Sequence, residues 1–361
     1  MLMDTKTVFE LKALTPLWTG DVDRDSAMAR ESGLIGSLRF WYEGLLRSLD
    51  LDACDPVEDR RCDGEQFCEA CALFGATGRA RRFRLEVDGL QPTELFFRAS
   101  REVAVPTKAW LSRVFAPDRA GITEAHPGKS GQFRFGVRAL WTPATFRITV
   151  WPRREDRRWN GPVAALVALA LSEAAEYGGI GAKTQNGFGQ VKLVSPVGSE
   201  IQVLIQQARD FLRESGRPGA ADARLFTLSE ERFFCQLYDN IQPTTMEKIG
   251  QPPPEYVQAQ EPYIPCAFDI RYKSAPESGL RPALQTAFSR SVAREMLGSL
   301  KGADASASRI HVSHLFREQP HSPYKLKIWG DVRRKDLVKP VISEYISKRR
   351  FPGATVTELR G

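Results

Sequence analysis

A chain of 361 residues with a net charge of +7, 42% hydrophobic and 26% charged residues has the balance of a folded globular protein. That balance excludes extensive disorder, and the length favours two domains over one. The strongest apolar run, Val163 to Leu171, is about half of the ~20 residues that a bilayer helix needs, and Met1 to Glu10 carries Asp4, Lys6 and Glu10 in place of a signal peptide's apolar core, so a cytoplasmic protein without a membrane partner is expected.

In chain order, alternation of apolar and polar residues predicts a first strand over Thr7 to Leu14. Asp21, Asp23 and Asp25 then crowd a turn beside Arg24 and Arg30. Such carboxylates could hold a cation or activate a ribose hydroxyl, and they are also the residues that turns favour for bonding their own backbone. Gly36 to Leu49 reads as an amphipathic helix, with Leu38, Trp41, Leu45 and Leu49 at helical spacing. Cys54, Cys62, Cys68 and Cys71 follow within eighteen residues, the last pair as C-x-x-C. In a reducing compartment that density points to structural zinc, with free thiols as the alternative. Four thiolates leave no open coordination position, so such an ion would brace a loop and not catalyse.

Arg79, Arg81, Arg82 and Arg84 lead into predicted strands at Phe83 to Val87 and Glu94 to Arg98. Leu111 to Gly131 reads as an inserted loop. Near it, Lys108, Trp110 and Arg113 combine a ring able to stack on a base with cations for phosphate. His126 in that loop is a general-base candidate or a solvated side chain. A strand at Thr145 to Pro152 precedes Arg153, Arg154, Arg157 and Arg158, partly neutralised by Glu155 and Asp156. Basic clusters of this kind suit phosphate contacts and equally describe a solvated surface.

Pro162 to Tyr177 is apolar almost throughout and reads as a buried helix. It runs into GGIGAKTQNGFG, Gly178 to Gly189. Glycines let backbone N–H donors approach an anion, and Lys183, Thr184, Gln185 and Asn186 would add side-chain donors; a helix cap with a flexible turn is the alternative. Two nucleotide-binding patterns fail here. Ala182 stands where a P-loop needs glycine, and Thr184 stands where a dinucleotide loop needs Gly or Ala. The loop joins a helix to a strand at Gln190 to Val194, which suits a polynucleotide backbone better than a triphosphate pocket.

A connecting helix at Ile201 to Ser215 leads through loop-prone Gly216 to Ala220 into a second half. There, strands are predicted at Arg232 to Tyr238, Ala267 to Lys273, Arg309 to Arg317 and Tyr324 to Gly330. Helices are predicted at Leu280 to Leu300 and Asp331 to Lys348, with a proline-rich loop from Gln242 to Pro265. His311 and His314 fall on one predicted strand facing opposite ways, which argues against a shared metal. Further basic clusters are Arg333, Arg334 and Lys335, and Lys348, Arg349 and Arg350. No Ser-His-Asp or Cys-His nucleophile pattern stands out. Strand, helix, strand, strand, helix, strand is the ferredoxin-like order. The expected fold is α+β, two tandem ferredoxin-like (RRM-like) domains with loop insertions, at residues 1–200 and 201–361.

The glycine loop, the opening LKALTPLWTGD and the segment SGLIGSLRFWYEGLL resemble the motifs of the RAMP superfamily of CRISPR effector subunits. CEACALFGATGRARRFRL, RIHVSHLFR and KLKIWGD narrow the resemblance to the first-subunit family of the type III-B, Cmr-type, complex. The resemblance implies a non-catalytic RNA-binding subunit working beside other Cmr-type subunits, engaging guide crRNA near its 3′ end and target RNA in antiviral defence. By motif it carries RNA contact to Gly179, Gly181, Lys183, Thr184, Gln185 and Asn186, and to Ser37 and Arg39. Arg79, Arg81, Arg82, Lys108, Trp110 and Arg113 complete the expected RNA-binding set. Target-cleaving relatives use an aspartate after the first strand, so an endoribonuclease working through the aspartate turn or His126 is the alternative, and a protein-binding scaffold a third.

Overall fold

The computed structural model describes residues 6–20, 26, 28–55, 62, 67–100, 122–127, 132–153, 162–195, 199–215, 232–241, 267–272, 279–298, 306, 308–319 and 322–359. The first unit begins with β1 (Thr7–Ala13), α1 (Glu31–Ser48), the short α2 (Glu69–Phe74) and β2 (Phe83–Asp88). It is completed by β6 (Thr145–Pro152), α3 (Val163–Tyr177) and β7 (Val191–Ser195). The sheet order β2-β6-β1-β7 is antiparallel throughout. Numbered within the unit this is 2-3-1-4, the ferredoxin-like arrangement. Between β2 and β6 the hairpin is opened by a three-stranded sheet of β3 (Gln91–Ser100), β4 (Ile122–Pro127) and β5 (Gln132–Trp141), in the order β3-β5-β4. The loop expected over Leu111 to Gly131 therefore contains a strand.

Packing follows the sequence pattern. Phe9, Leu11 and Ala13 of β1 are buried, while the intervening residues are more exposed, as strand alternation requires. On α1, Leu34, Leu38, Trp41, Tyr42 and Leu45 form the buried stripe. The nearly uniform apolarity of α3 has a direct cause, because it is covered by α1, by the sheet and by α4 (Ser199–Ser215), whose Ile201, Ile205, Ala208 and Leu212 enter the same core.

The second unit contains β8 (Phe233–Ile241), α5 (Ala267–Tyr272), α6 (Leu280–Ala287), α7 (Arg290–Leu297), β9 (Ile310–Val312), β10 (Tyr324–Asp331), α8 (Lys335–Ser343) and β11 (Thr355–Glu358). A π-helical turn, Glu344–Arg350, continues α8. The sheet order β11-β8-β10-β9 repeats the ferredoxin-like pattern. Three expectations are corrected. In the stretch expected as a strand, Ala267–Tyr272 is helical, because Ala267, Ile270 and Arg271 are buried at helical and not alternating spacing. Leu280 to Leu300 breaks at Phe288 and Ser289, both extended in ψ. The fourth strand is instead β11, whose four residues are all exposed.

The two four-stranded sheets meet across one interior. Phe234, Tyr238, Ile310, Val312, Leu326 and Ile328 face the second unit's own helices. Phe233, Cys235 and Trp329, on the other side of β8 and β10, join the first core. Trp329 lies 5.2 Å from Trp41 of α1 between ring centroids, and Phe233 lies 6.3 Å from Tyr177 of α3. Lys327, 5% exposed, reaches across to donate to the Ala175 and Glu176 carbonyls at 3.1 and 2.8 Å, closing the C-terminal end of α3. Among the described residues no helix is long and apolar enough to cross a membrane.

Candidate nucleic-acid interface and metal centre

The loop that follows α3 is enclosed on both sides. Phe188 packs against Trp18 at 5.5 Å, Phe97 of the inserted sheet at 6.1 Å and His314 of the second unit at 5.0 Å. Its backbone is largely bonded to protein. Ile180 N–H donates to Gly189, Ala182 to Trp18, Gly189 to Pro16 and Gln190 to the Thr15 hydroxyl, while the Gly179 and Gly187 carbonyls accept from the Trp41 indole and from His314 N–H. The closure leaves no room for side chains at its glycines, as two of them illustrate. At Gly189 (φ +85°) a Cβ would stand 2.1 Å from the Ile180 carbonyl oxygen, and at Gly187 (φ +105°) 2.8 Å from the His314 ring.

This geometry corrects the picture of a loop whose backbone donors wrap an anion. Thr184 and Asn186 are buried, and the Thr184 hydroxyl lies 3.0 Å from Nδ1 of His311, whose ring stacks on Trp329 at 3.6 Å. Burial holds His311 well below the ordinary imidazole range, and Arg271 nearby pushes the same way. His314 lies beyond the end of β9, so the opposite-face argument does not apply. Both histidine rings lie against the loop, His311 at Thr184 and His314 at Phe188, while His314 Nδ1 accepts from Ala267 N–H of α5. Gly179 is buried as well.

What remains at the rim is Gly181, Ala182, Lys183 and Gln185, all half-buried. Lys183 adopts φ +56° and holds its ammonium 4.0 Å above the Trp18 ring. Burial brings its pKa down to about 8. At the start of α1 the N-cap, Arg30, makes no side-chain capping bond. On that helix Gly36 is exposed, and a Cβ added there would meet nothing within 4 Å. A helical glycine costs about 1 kcal/mol relative to alanine, so its presence is not explained by crowding. Half-exposed Ser37 adjoins it. The glycine loop borders this helix at Gly181, where an added Cβ would stand 3.9 Å from the Leu34 side chain.

Arg39 is committed elsewhere. It donates to Glu43 at 2.6 Å, to the Gly75 carbonyl at 2.8 Å and to Cys71 Sγ at 3.1 Å. Arg79, Arg81 and Arg82 are half-buried, with Arg79 over the Phe67 ring at 4.9 Å and Arg81 donating to the Phe83 carbonyl at 3.0 Å. Arg84 is exposed and pairs with Glu86. Lys108, Trp110 and Arg113 lie outside the described residues, as do Asp21, Asp23, Asp25, Arg154, Arg157, Arg158, His321 and the stretches 216–220 and 242–265. His126 falls on β4, opposite Arg134 of β5.

The four cysteines converge. Their sulfurs all lie within 4.8 Å of one another, with Cys54 3.6, 3.5 and 3.9 Å from Cys62, Cys71 and Cys68. A tetrahedral ion bound by four sulfurs at about 2.3 Å sets S···S separations of about 3.8 Å, so the arrangement fits a metal. Cys68 caps α2, which places Cys71 one turn on. Backbone N–H groups of Cys68 and Cys71 point at the sulfurs of Cys62 and Cys68 at 3.3 and 3.5 Å, and Arg47 of α1 holds the Cys54 carbonyl at 2.6 Å. Burial pushes the Cys68 thiol up to about 11.

Along its length the chain is similar to the crystal structure of Cmr1 from Pyrococcus furiosus in its apo form, at 14% identity, 99% coverage of each chain and a TM-score of 0.44. It is also similar to chains in two cryo-EM structures of type III-B Cmr-beta bound to cognate target RNA. The first, with AMPPnP in the presence of ssDNA, gives 12% identity and a TM-score of 0.43, and the second 10% and 0.39; both cover 94% of this chain and 98% of the other. No curated protein sequence matches. The family model of the RAMP superfamily matches residues 10–192, from β1 to β7 and more than half of the sequence, and the chain belongs to that superfamily.

Proposed function

We propose that this chain is a non-catalytic RNA-binding subunit of a type III-B CRISPR effector ribonucleoprotein, engaging the 3′ region of the guide RNA and target RNA beside other Cmr-type subunits in the cytoplasm. The observation that carries the reading is the RAMP-type glycine loop, locked by packing with Lys183 and Gln185 half-buried at its rim, while Gly36 is exposed and Ser37 half-exposed on α1. The Lys183 ammonium supplies a phosphate contact, and the bare helix surface at Gly36 lets a backbone approach closely. The helix-free face of the second sheet, where an RRM would stack bases, is covered by α1 and α3. RNA contact is therefore assigned to the first unit, with Arg79, Arg81 and Arg82 adding charge and with Lys108, Trp110 and Arg113 as further RNA-binding residues. Sequence selection comes from the guide, since phosphate contacts carry no base information. The cysteines Cys54, Cys62, Cys68 and Cys71 hold a structural zinc ion that braces the α1–β2 connection.

Purification of the tagged chain from its native cells, with sequencing of the RNA that accompanies it, tests the reading. Short RNAs with a repeat-derived end and variable spacers support it; the absence of enriched RNA sinks it. A variant with Asp21, Asp23 and Asp25 all changed to alanine leaves any target cutting by the assembled complex unchanged if this chain is non-catalytic, whereas loss of cutting would make it the nuclease.

A further inference from the structure

Arg39 occupies a position where its family motif led us to expect a phosphate contact, yet its guanidinium is engaged by the protein on three sides. The planar fork reaches Glu43 one turn along α1, the carbonyl of Gly75 at the end of α2, and the sulfur of Cys71 within α2. A lysine ammonium, a single point on a flexible stem, cannot match that fork.

Four thiolates around a divalent zinc ion carry a net charge of −2. Cys68 and Cys71 are buried, and charge placed in such surroundings is costly unless hydrogen-bonded and compensated. Two backbone N–H groups contribute hydrogen bonds without net charge. Arg39 contributes both, since it is a cation donating directly to a ligand sulfur. We propose that Arg39 is a positioning residue of the metal centre, the counter-charge that stabilises a four-thiolate zinc site through Cys71 and ties it to helix α1.

This inference rests on the zinc reading above, and it changes what Arg39 does for RNA. Beyond Gly75 the chain makes a tight turn closed between Ala76 and Arg79, and Arg82 N–H then returns to the Leu73 carbonyl at 2.9 Å. Metal and Arg39 together fix α2 at both ends, and through that turn they set where Arg79, Arg81 and Arg82 stand. Arg39 acts on RNA through the metal centre and not by touching it.

The test uses the full chain purified without chelators. Zinc affinity, measured by competition with a chromophoric chelator, is expected to fall about 10- to 100-fold in Arg39→Ala, the range seen when an outer partner of a ligand is lost. In cobalt-substituted protein the thiolate-to-metal charge-transfer band of the variant moves to lower energy, because loss of the charged donor raises the sulfur lone pair. RNA affinity returns to the wild-type value when Arg39→Ala is saturated with zinc. Unchanged zinc affinity together with an unmoved cobalt band overturns the proposal. An RNA defect that persists in zinc-saturated protein also overturns it, assigning Arg39 to the RNA. Wild-type protein that holds no zinc and gives no thiolate band with cobalt removes the zinc reading itself. Should Arg39→Ala not fold, Arg39→Lys keeps the charge without the three-way fork, and the same two metal measurements decide.

Discussion

The two ferredoxin-like units have the same sheet order and contrast at one equivalent place, the connection from the second helix to the fourth strand. In the second unit this is Phe351 to Ala354, a tight turn in which Gly353 takes φ +91° with open space around it. In the first unit it is the glycine loop, pressed between α1, the inserted sheet and β9, with glycines where carbonyl oxygens and rings leave no room. One topology thus serves a surface turn and an enclosed functional loop. The difference comes from a longer connection, Gly178 to Gln190, and from what lies against it.

Four substitutions probe that contrast, in order of effect. Gly189→Ala imposes both a left-handed backbone and a collision with the Ile180 carbonyl, and is expected to cost about 4 kcal/mol in urea unfolding. A loss below about 1 kcal/mol would show that the loop opens freely. Lys327→Met leaves the Ala175 and Glu176 carbonyls without their donor, for about 2 kcal/mol; unchanged stability would mean that the second unit does not secure α3. Lys183→Ala is expected to weaken RNA binding about tenfold, near 1.4 kcal/mol, and to lower the salt slope by about one. Because burial lowers the Lys183 pKa from 10.5 to about 8 and phosphate binds the charged form, wild-type affinity is full below about pH 8 and declines above it. That decline disappears in the variant, and its persistence would place the titrating group elsewhere. Gly353→Ala, with strain but no collision, is expected to cost about 1 kcal/mol.

The sequence disclosed features whose cause is local. The apolar stretch of α3, the C-x-x-C pair and the glycine loop all stood out because neighbouring residues carry the signal. What was hidden depends on distant partners. Nothing near Thr184 foretells His311, 127 residues away, so burial of its hydroxyl could not be read. Arg39 looked available because Gly75 and Cys71 return to it only once α2 folds back on α1. The segment from Ala267 alternates Phe, Asp, Ile, Arg and Tyr like a strand, while its buried positions follow a helix. β11 carried no amphipathic signal, since none of its residues is buried.

The sharing of one interior between units that are far apart in sequence bears on how the chain is made. A ribosome releases the residues through Ser215, which include α1, α3 and all strands of the first sheet, while β8, β9 and β10 are still to come. Trp41 and Tyr177 then lack Phe233 and Trp329, and the glycine loop lacks His311 and His314. At about 5–20 residues per second this interval lasts roughly ten seconds before β10 emerges. During synthesis the aromatic seam is the nascent chain's sticky surface, the place where a chaperone would hold it.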